Sequence, residues 1–308
     1  MASLKSTTKS LQVLQGVRIL SVSLNLPGPA ALLRCKKMGA TCVKLEPPSP
    51  VDAPEGTTGD PMSVYSRRAY DALHAGIRVK TINLKSATGQ KALQRELAQA
   101  QVLLASFRPS ALTKLGLDWQ TLHPRYPALA MVSIVGSAGG RAEEPGHDLT
   151  YLADNDLVTG LDLPATLYAD MGGALMACEA VLQAVLMQKQ SGQGSFIEVA
   201  LADATAHLAL PRTWGATLPG TLLGGGHAGY QVYPCLNGRV AMAALEPHFA
   251  RTLCAVAGIE WTGMAMMSEA STRQKVADFV RKLTQTELNL LAKAHDIPLH
   301  TLQPDLPG

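Results

Sequence analysis

The chain has 308 residues, 47% apolar and 17% charged, with a net charge of +3. That length and apolar content suffice for a substantial core and predict two domains, or one large domain with a smaller appendage. The small, scattered positive excess excludes a nucleic-acid surface, though it suits a polyanionic small molecule. Five cysteines without a C-x-x-C pair argue against a disulfide framework and for a reducing compartment, and no Cys/His cluster marks a zinc site.

The N-terminal residues Met1 to Gln12 are polar and lack the apolar core of a signal peptide. Val17 to Val22 is an apolar run with strand character. A turn at Leu26-Pro27-Gly28-Pro29, a helix over Ala30 to Met38 stopped by Gly39, and a strand over Thr41 to Leu45 complete a β-α-β unit. It carries no G-x-G-x-x-G, so no dinucleotide site is assigned. Pro50 to Asp60 reads as a loop. Strands follow at Val79 to Leu84, Val102 to Ala105 and Leu129 to Val135. Between them lie a helix over Ser86 to Ala100 and helical turns at Ala111 to Leu115 and Trp119 to His123.

Gly136 to Gly146 is a polar, glycine-rich loop. Helices are predicted over Asp148 to Leu157, from about Gly172 to Lys189, and over Ala202 to Leu210, with a strand at Phe196 to Val199. The apolar stretch Leu175 to Met187 is interrupted by Glu179 and Gln183 and reads as too short and polar to cross a bilayer, so a cytoplasmic protein with no membrane partner is expected. Glycine, proline and threonine dominate 211–229, a linker. Beyond it, strands at Tyr230 to Tyr233 and Arg239 to Ala244 flank the hairpin dipeptide Asn237-Gly238. Helices follow at His248 to Val256, Ser271 to Leu283 and Gln285 to Ala294, and His300 to Gly308 reads as a loop. The whole predicts an α/β protein. A Rossmann-like open parallel sheet forms the large domain over 13–210, and a small α+β domain occupies 230–308.

Three segments set ionisable residues beside glycine or proline: Pro145-Gly146-His147-Asp148-Leu149-Thr150-Tyr151, Tyr168-Ala169-Asp170-Met171-Gly172-Gly173 and Ala244-Leu245-Glu246-Pro247-His248-Phe249. Asp170, just ahead of a helix start, fits an N-cap, which satisfies orphan N–H groups. It fits equally a carboxylate facing a substrate carbonyl, with glycine amides free to hold an oxyanion. His147-Asp148 reads either as a cap with a surface histidine or as a base held by a carboxylate. Adjacent helical side chains diverge by about 100°, so Asp148 need not touch His147. Glu246, before a proline, fits a solvated turn.

In this order the three segments resemble the class III CoA-transferase (CaiB/BaiF) family, and within it α-methylacyl-CoA racemases. Further segments agree: Gly16-Val17-Arg18-Ile19-Leu20, Pro27-Gly28-Pro29, the run Met38 to Pro48, Asn83-Leu84-Lys85, Phe107-Arg108-Pro109, Leu115-Gly116-Leu117 and Ser191 to Val199. The likeness extends from about Gly16 to Leu299.

The resemblance implies an enzyme acting on the acyl part of an acyl-CoA, with CoA as part of the substrate and no bound cofactor or metal. In its racemase form, His147 and Asp170 stand on opposite faces of the α-carbon and Glu246 orients the histidine, with Asp148 beside it. In its transferase form, Asp170 is a nucleophile that carries an aspartyl-CoA intermediate. Transferases usually carry an aromatic residue at the position of His147, so the histidine favours racemisation. The resemblance also implies CoA contacts from Lys44, Arg78, Phe107, Arg108, Gly172 and Gly173, and a homodimer. The family's basic N-R-G-K-R stretch is here His74-Ala75-Gly76-Ile77-Arg78. The lost charges point to weaker CoA binding unless Arg67, Arg68, Lys44 or Lys80 substitutes, and they motivate a third reading, a non-catalytic paralogue.

Overall fold

A computed structural model describes residues 11–302 and divides the chain into two compact units, 1–209 and 210–308. In chain order the first unit runs β1 (Arg18–Ser21), α1 (Pro27–Lys37), β2 (Thr41–Glu46), α2 (Met62–Tyr65), α3 (Arg67–Leu73), β3 (Arg78–Thr81), α4 (Ala87–Leu97), β4 (Val102–Ala105), α5 (Pro109–Leu115), α6 (Trp119–Leu122), β5 (Ala130–Val135), α7 (Asp148–Asp154), α8 (Tyr168–Ser191), β6 (Phe196–Ala200) and α9 (Leu201–Leu208). Its six strands form one sheet in the order β3-β2-β1-β4-β5-β6, and every pairing is parallel. This is the Rossmann-like arrangement, with the chain reversing direction across the sheet between β1 and β4.

The central strands are mostly apolar because helices cover both faces. All residues of β4 and β5 are buried. Side chains alternate between faces, so Val102 and Leu104 join Val132 and Ile134 in one core, while Leu103 and Ala105 join Met131 in the other. Local signals place the helix ends. Pro27 opens α1, where its missing N–H costs nothing. The Ser86 hydroxyl accepts from the Gly89 N–H at the start of α4.

Helix α8 begins at Tyr168, earlier than the expected start near Gly172, so Asp170 lies inside its first turn. The helix has 24 residues and is long and apolar enough to span a membrane by length and composition, contrary to the sequence expectation. Its inward face carries small residues, among them Ala169, Gly173, Ala177, Ala180 and Ala184, and packs on α1, α9 and β5. That packing accounts for the inward half of the apolar run, since half of the apolar window is buried.

The second unit contains α10 (Leu210–Thr213), β7 (Tyr230–Cys235), β8 (Gly238–Ala243), α11 (Pro247–Val256), α12 (Ala270–Val280), α13 (Gln285–His295) and β9 (Leu299–Leu302). Its three strands form an antiparallel sheet in the order β7-β8-β9. The stretch 211–229, expected to be a linker, holds the rest of α10 and a π-helical turn at Leu222–Gly226. The segment from His300, expected to be a loop, supplies β9 up to Leu302 through pairing with β8, for example Thr301 with Val240. Residues 303–308 lie outside the described residues.

Candidate active site

A cavity of about 560 Å³ opens at the carboxyl ends of β1, β4, β5 and β6. Its walls are the loop Leu24–Pro27 after β1, the loop Ser106–Arg108 after β4, Ile134 to Gly136 at the end of β5, and Leu201 at the start of α9. The cavity therefore covers the place where the strand order reverses, the usual ligand position in open α/β sheets. The Leu24 N–H donates to the Ser106 hydroxyl at 3.0 Å and joins the two loops across that reversal.

The segment that leads into α7 brings His147, Asp148 and Tyr151 to the same cavity, and the start of α8 brings Asp170. His147 is the N-cap of α7 and is exposed. Its backbone is held from both sides by Thr150, whose hydroxyl accepts from the His147 N–H at 3.1 Å and donates to the His147 carbonyl at 2.7 Å.

Asp148 is buried, and its carboxylate accepts from the Asp170 N–H at 3.0 Å. Asp148 thus supplies the cap at the start of α8, the role that Asp170 itself could have filled. With the capping done by its neighbour, the Asp170 carboxylate is left to the cavity. Burial first, and then the negative charge of Asp148, raise the Asp170 carboxyl from 3.8 to about 6 against the opposing effect of His147. A carboxyl that titrates near neutrality suits proton transfer in both directions.

Phe107 and Arg108 line this cavity as well. Several other expected contacts do not. Lys44 is fully buried beneath the sheet edge, where it pairs with Asp60 and with Glu46 at 3.3 Å and meets His74 Nε2 at 2.8 Å. It therefore cannot reach a CoA phosphate. Arg78 is exposed at the start of β3 and is not among the cavity's lining residues.

Gly172 and Gly173 are buried within α8, where their N–H groups belong to the helical i→i−4 ladder. The reason they are glycine is packing. A Cβ on Gly173 would lie 2.2 Å from Leu201 Cδ2, and one on Gly172 would lie 3.0 Å from Leu208 Cδ1. They are spacers between α8 and α9, and their amides are not free to hold an oxyanion as expected from the sequence. Glu246 is exposed at the N-cap of α11 and belongs to the second unit.

The cluster around Lys44 is a feature that sequence reasoning missed. The Asp60 carboxylate accepts from the N–H groups of Asn25 and Met62, both at 3.0 Å, and both residues line the cavity. Asn25 adopts a positive φ of 63°. His74 Nδ1 lies 2.6 Å from the Tyr70 carbonyl, which requires a proton on that nitrogen and leaves Nε2 to accept from Lys44. Burial and the Lys44 charge hold the His74 pKa below its ordinary value. The Tyr70 hydroxyl donates to Glu46 at 3.0 Å. The only hint in the sequence is a lysine and a glutamate alternating inside an apolar strand.

Comparison with known proteins follows the same lines. The family model for CoA-transferase family III matches residues 14–304. An alpha-methylacyl-CoA racemase of Mus musculus is 29% identical over 89% of this chain and 74% of the relative. A cinnamoyl-CoA:phenyllactate CoA-transferase of Clostridium sporogenes is 30% identical over 60% of this chain and 48% of the relative. The crystal structure of a CAIB/BAIF family protein from Brucella suis superposes with a TM-score of 0.74 at 22% identity, covering 96% of this chain and 84% of that one. A doubly wound sheet with a cavity at its strand reversal, matched over nearly its whole length by one family model, makes this chain an enzyme of CoA-transferase family III.

Proposed function

We propose that the chain epimerises 2-methylacyl-CoA thioesters by transferring the α-proton between two bases. The observation that carries this reading is the convergence of His147 and Asp170 on one cavity, with the Asp170 carboxyl raised to about 6. One of the two accepts the α-proton, and the C–H electron pair moves into the thioester carbonyl to give an enolate. The other returns a proton to the opposite face. CoA enters and leaves as part of the substrate, and Arg108 is the cation at the cavity suited to meeting its negative charge. The likeness to racemases over 89% of the chain supports the same assignment.

A second reading, CoA transfer between carboxylic acids through Asp170 as nucleophile, draws on the likeness to the Clostridium transferase. The experiment that separates the two is α-deuterium uptake by a panel of 2-methylacyl-CoA thioesters in heavy water. Uptake is expected in the native protein and should fall by about 100-fold or more in His147→Ala, the usual scale for loss of a general acid–base group. Uptake that persists in both His147→Ala and Asp170→Ala would refute the two-base mechanism. Hydroxylamine trapping at Asp170 during turnover, without any uptake, would establish transfer instead.

A homodimer belongs to the same proposal. The outward side of α8 exposes Tyr168, Met171, Leu175, Leu182 and Leu186, an apolar row that a second copy would cover. Sedimentation velocity should give a species of twice the chain mass. A monomer at all concentrations would exclude this assignment.

A further inference from the structure

An enolate formed in this cavity needs a hydrogen-bond donor at its oxygen, and Gly172 and Gly173 do not supply one, since their amides are engaged in α8. We propose that Tyr151 fills this role, donating its hydroxyl to the thioester carbonyl oxygen and holding the charge that develops there. The inference deepens the epimerase reading and rests on it.

Four observations converge on the phenol. Tyr151 lines the cavity that His147 and Asp170 share. It stands one helical turn after His147, the N-cap of α7, with its N–H donating to the His147 carbonyl at 3.3 Å, so the start of one helix brings both residues to the cavity. Its ring is buried, yet among the described residues its hydroxyl makes no hydrogen bond. The hydroxyl oxygen is not among the buried atoms left without a partner in the described residues, so it opens onto the cavity and is free to donate to a ligand there.

The fourth observation is the berth itself. A Cβ on Gly136 would lie 2.2 Å from the Tyr151 hydroxyl oxygen, and one on Gly146 would lie 2.4 Å from it. The two ends of one loop, Gly136 just after β5 and Gly146 just before α7, each lack a side chain where this oxygen sits. Any larger residue at either position would drive the hydroxyl from its place. Burial, reinforced by the Asp170 charge and opposed by Arg108, raises the Tyr151 pKa above its ordinary value. The phenol therefore stays protonated at neutral pH, as a donor must. No covalent step is involved: the proton stays on the phenol while the α-proton moves between the two bases.

The test is Tyr151→Phe, which keeps the ring and removes only the donor. Deuterium uptake should show kcat lower by about 100-fold, the scale for loss of one oxyanion donor, with KM changed little. An unchanged kcat, or a loss confined to KM, would overturn the assignment. A second measurement does not depend on turnover. Calorimetric binding of acetyl-CoA is compared with that of S-ethyl-CoA, a thioether without the carbonyl oxygen. The native protein should favour the thioester severalfold and Tyr151→Phe should bind both alike. A preference retained in the variant would overturn the role of Tyr151 alone, whereas failure of the native protein to bind either ligand would overturn the acyl-CoA reading and this role together.

Discussion

Replacing Asp170 with asparagine is expected to lower α-proton exchange by about 10³-fold and at the same time to make the protein more stable at neutral pH. The kinetic loss follows from removing the carboxylate that takes and returns the proton, a step for which positioned acid–base groups commonly contribute 10² to 10⁴. The stability gain follows from linkage. Asp170 titrates at about 6 in the fold, above its ordinary value of 3.8, because burial and the Asp148 charge disfavour its ionised form. A raised carboxyl favours folding when protonated. That contribution is fully present below 3.8 and is lost as pH rises through about 6. At pH 7 the native protein therefore carries a partly buried, disfavoured charge, and a neutral amide relieves it by on the order of 1–2 kcal/mol after allowance for solvent screening. Chemical denaturation at pH 7 and pH 4 checks the sign: the advantage of the asparagine variant should shrink at the lower pH. In the native protein, kcat/KM in the direction where Asp170 accepts the proton should fall as pH drops through about 6. A variant that exchanges normally, or that is less stable at both pH values, contradicts the placement of Asp170 in the cavity.

Lys44→Met should be the most destabilising single change in the first unit away from its apolar core, at about 3–5 kcal/mol. The Lys44 and Asp60 side chains are 0% exposed and Glu46 is 1% exposed. Methionine matches the lysine stem in length but leaves two carboxylates facing each other in a site closed to water, and a buried charge stripped of its partner costs far more than an intact pair contributes. By contrast, Arg67 and Asp71 are 56% and 57% exposed, so Arg67→Ala, which breaks their ion pair, should cost less than about 0.5 kcal/mol. Urea titrations of the two variants measure the difference directly. Because Asp60 holds the backbone of Asn25 and Met62, Lys44→Met should also loosen the cavity wall, seen as faster amide exchange at Asn25. Equal stability in Lys44→Met and Arg67→Ala would show that the cluster is not sealed from solvent.

The parallel sheet was legible in the sequence because each central strand is a short, nearly unbroken apolar run between turn residues, the pattern that burial on both faces demands. Val102-Leu103-Leu104-Ala105 and Leu129 to Val135 need no partner to be recognised. The residues of the cavity were legible for another reason. His147, Asp148 and Asp170 sit in compact segments whose order along the chain resembles one family, whereas Tyr151 is marked out only by the cavity it lines. The burial of Lys44 is not legible, because a lysine is ordinarily solvated and nothing near it in sequence announces that Asp60 and His74 enclose it. The spacer role of Gly172 and Gly173 is not legible either, because a glycine pair beside an aspartate has the pattern of an anion cradle and only the fold brings Leu201 and Leu208 into the space. Strand β9 escaped notice because four residues have too little local preference, and only pairing with β8 makes them a strand.

By itself the sequence determined which segments are apolar enough to be buried, where most of the longer helices lie, and which chemical groups are present for acid–base work, since these depend on spacing and residue type along the chain. The tertiary structure alone decided which of those groups share a cavity, which carboxylate caps a helix and which is left to react, and which charge is enclosed. Those outcomes depend on distances between residues remote in sequence, and desolvation, which sets their energies, exists only once the sheet and its helices have closed around them.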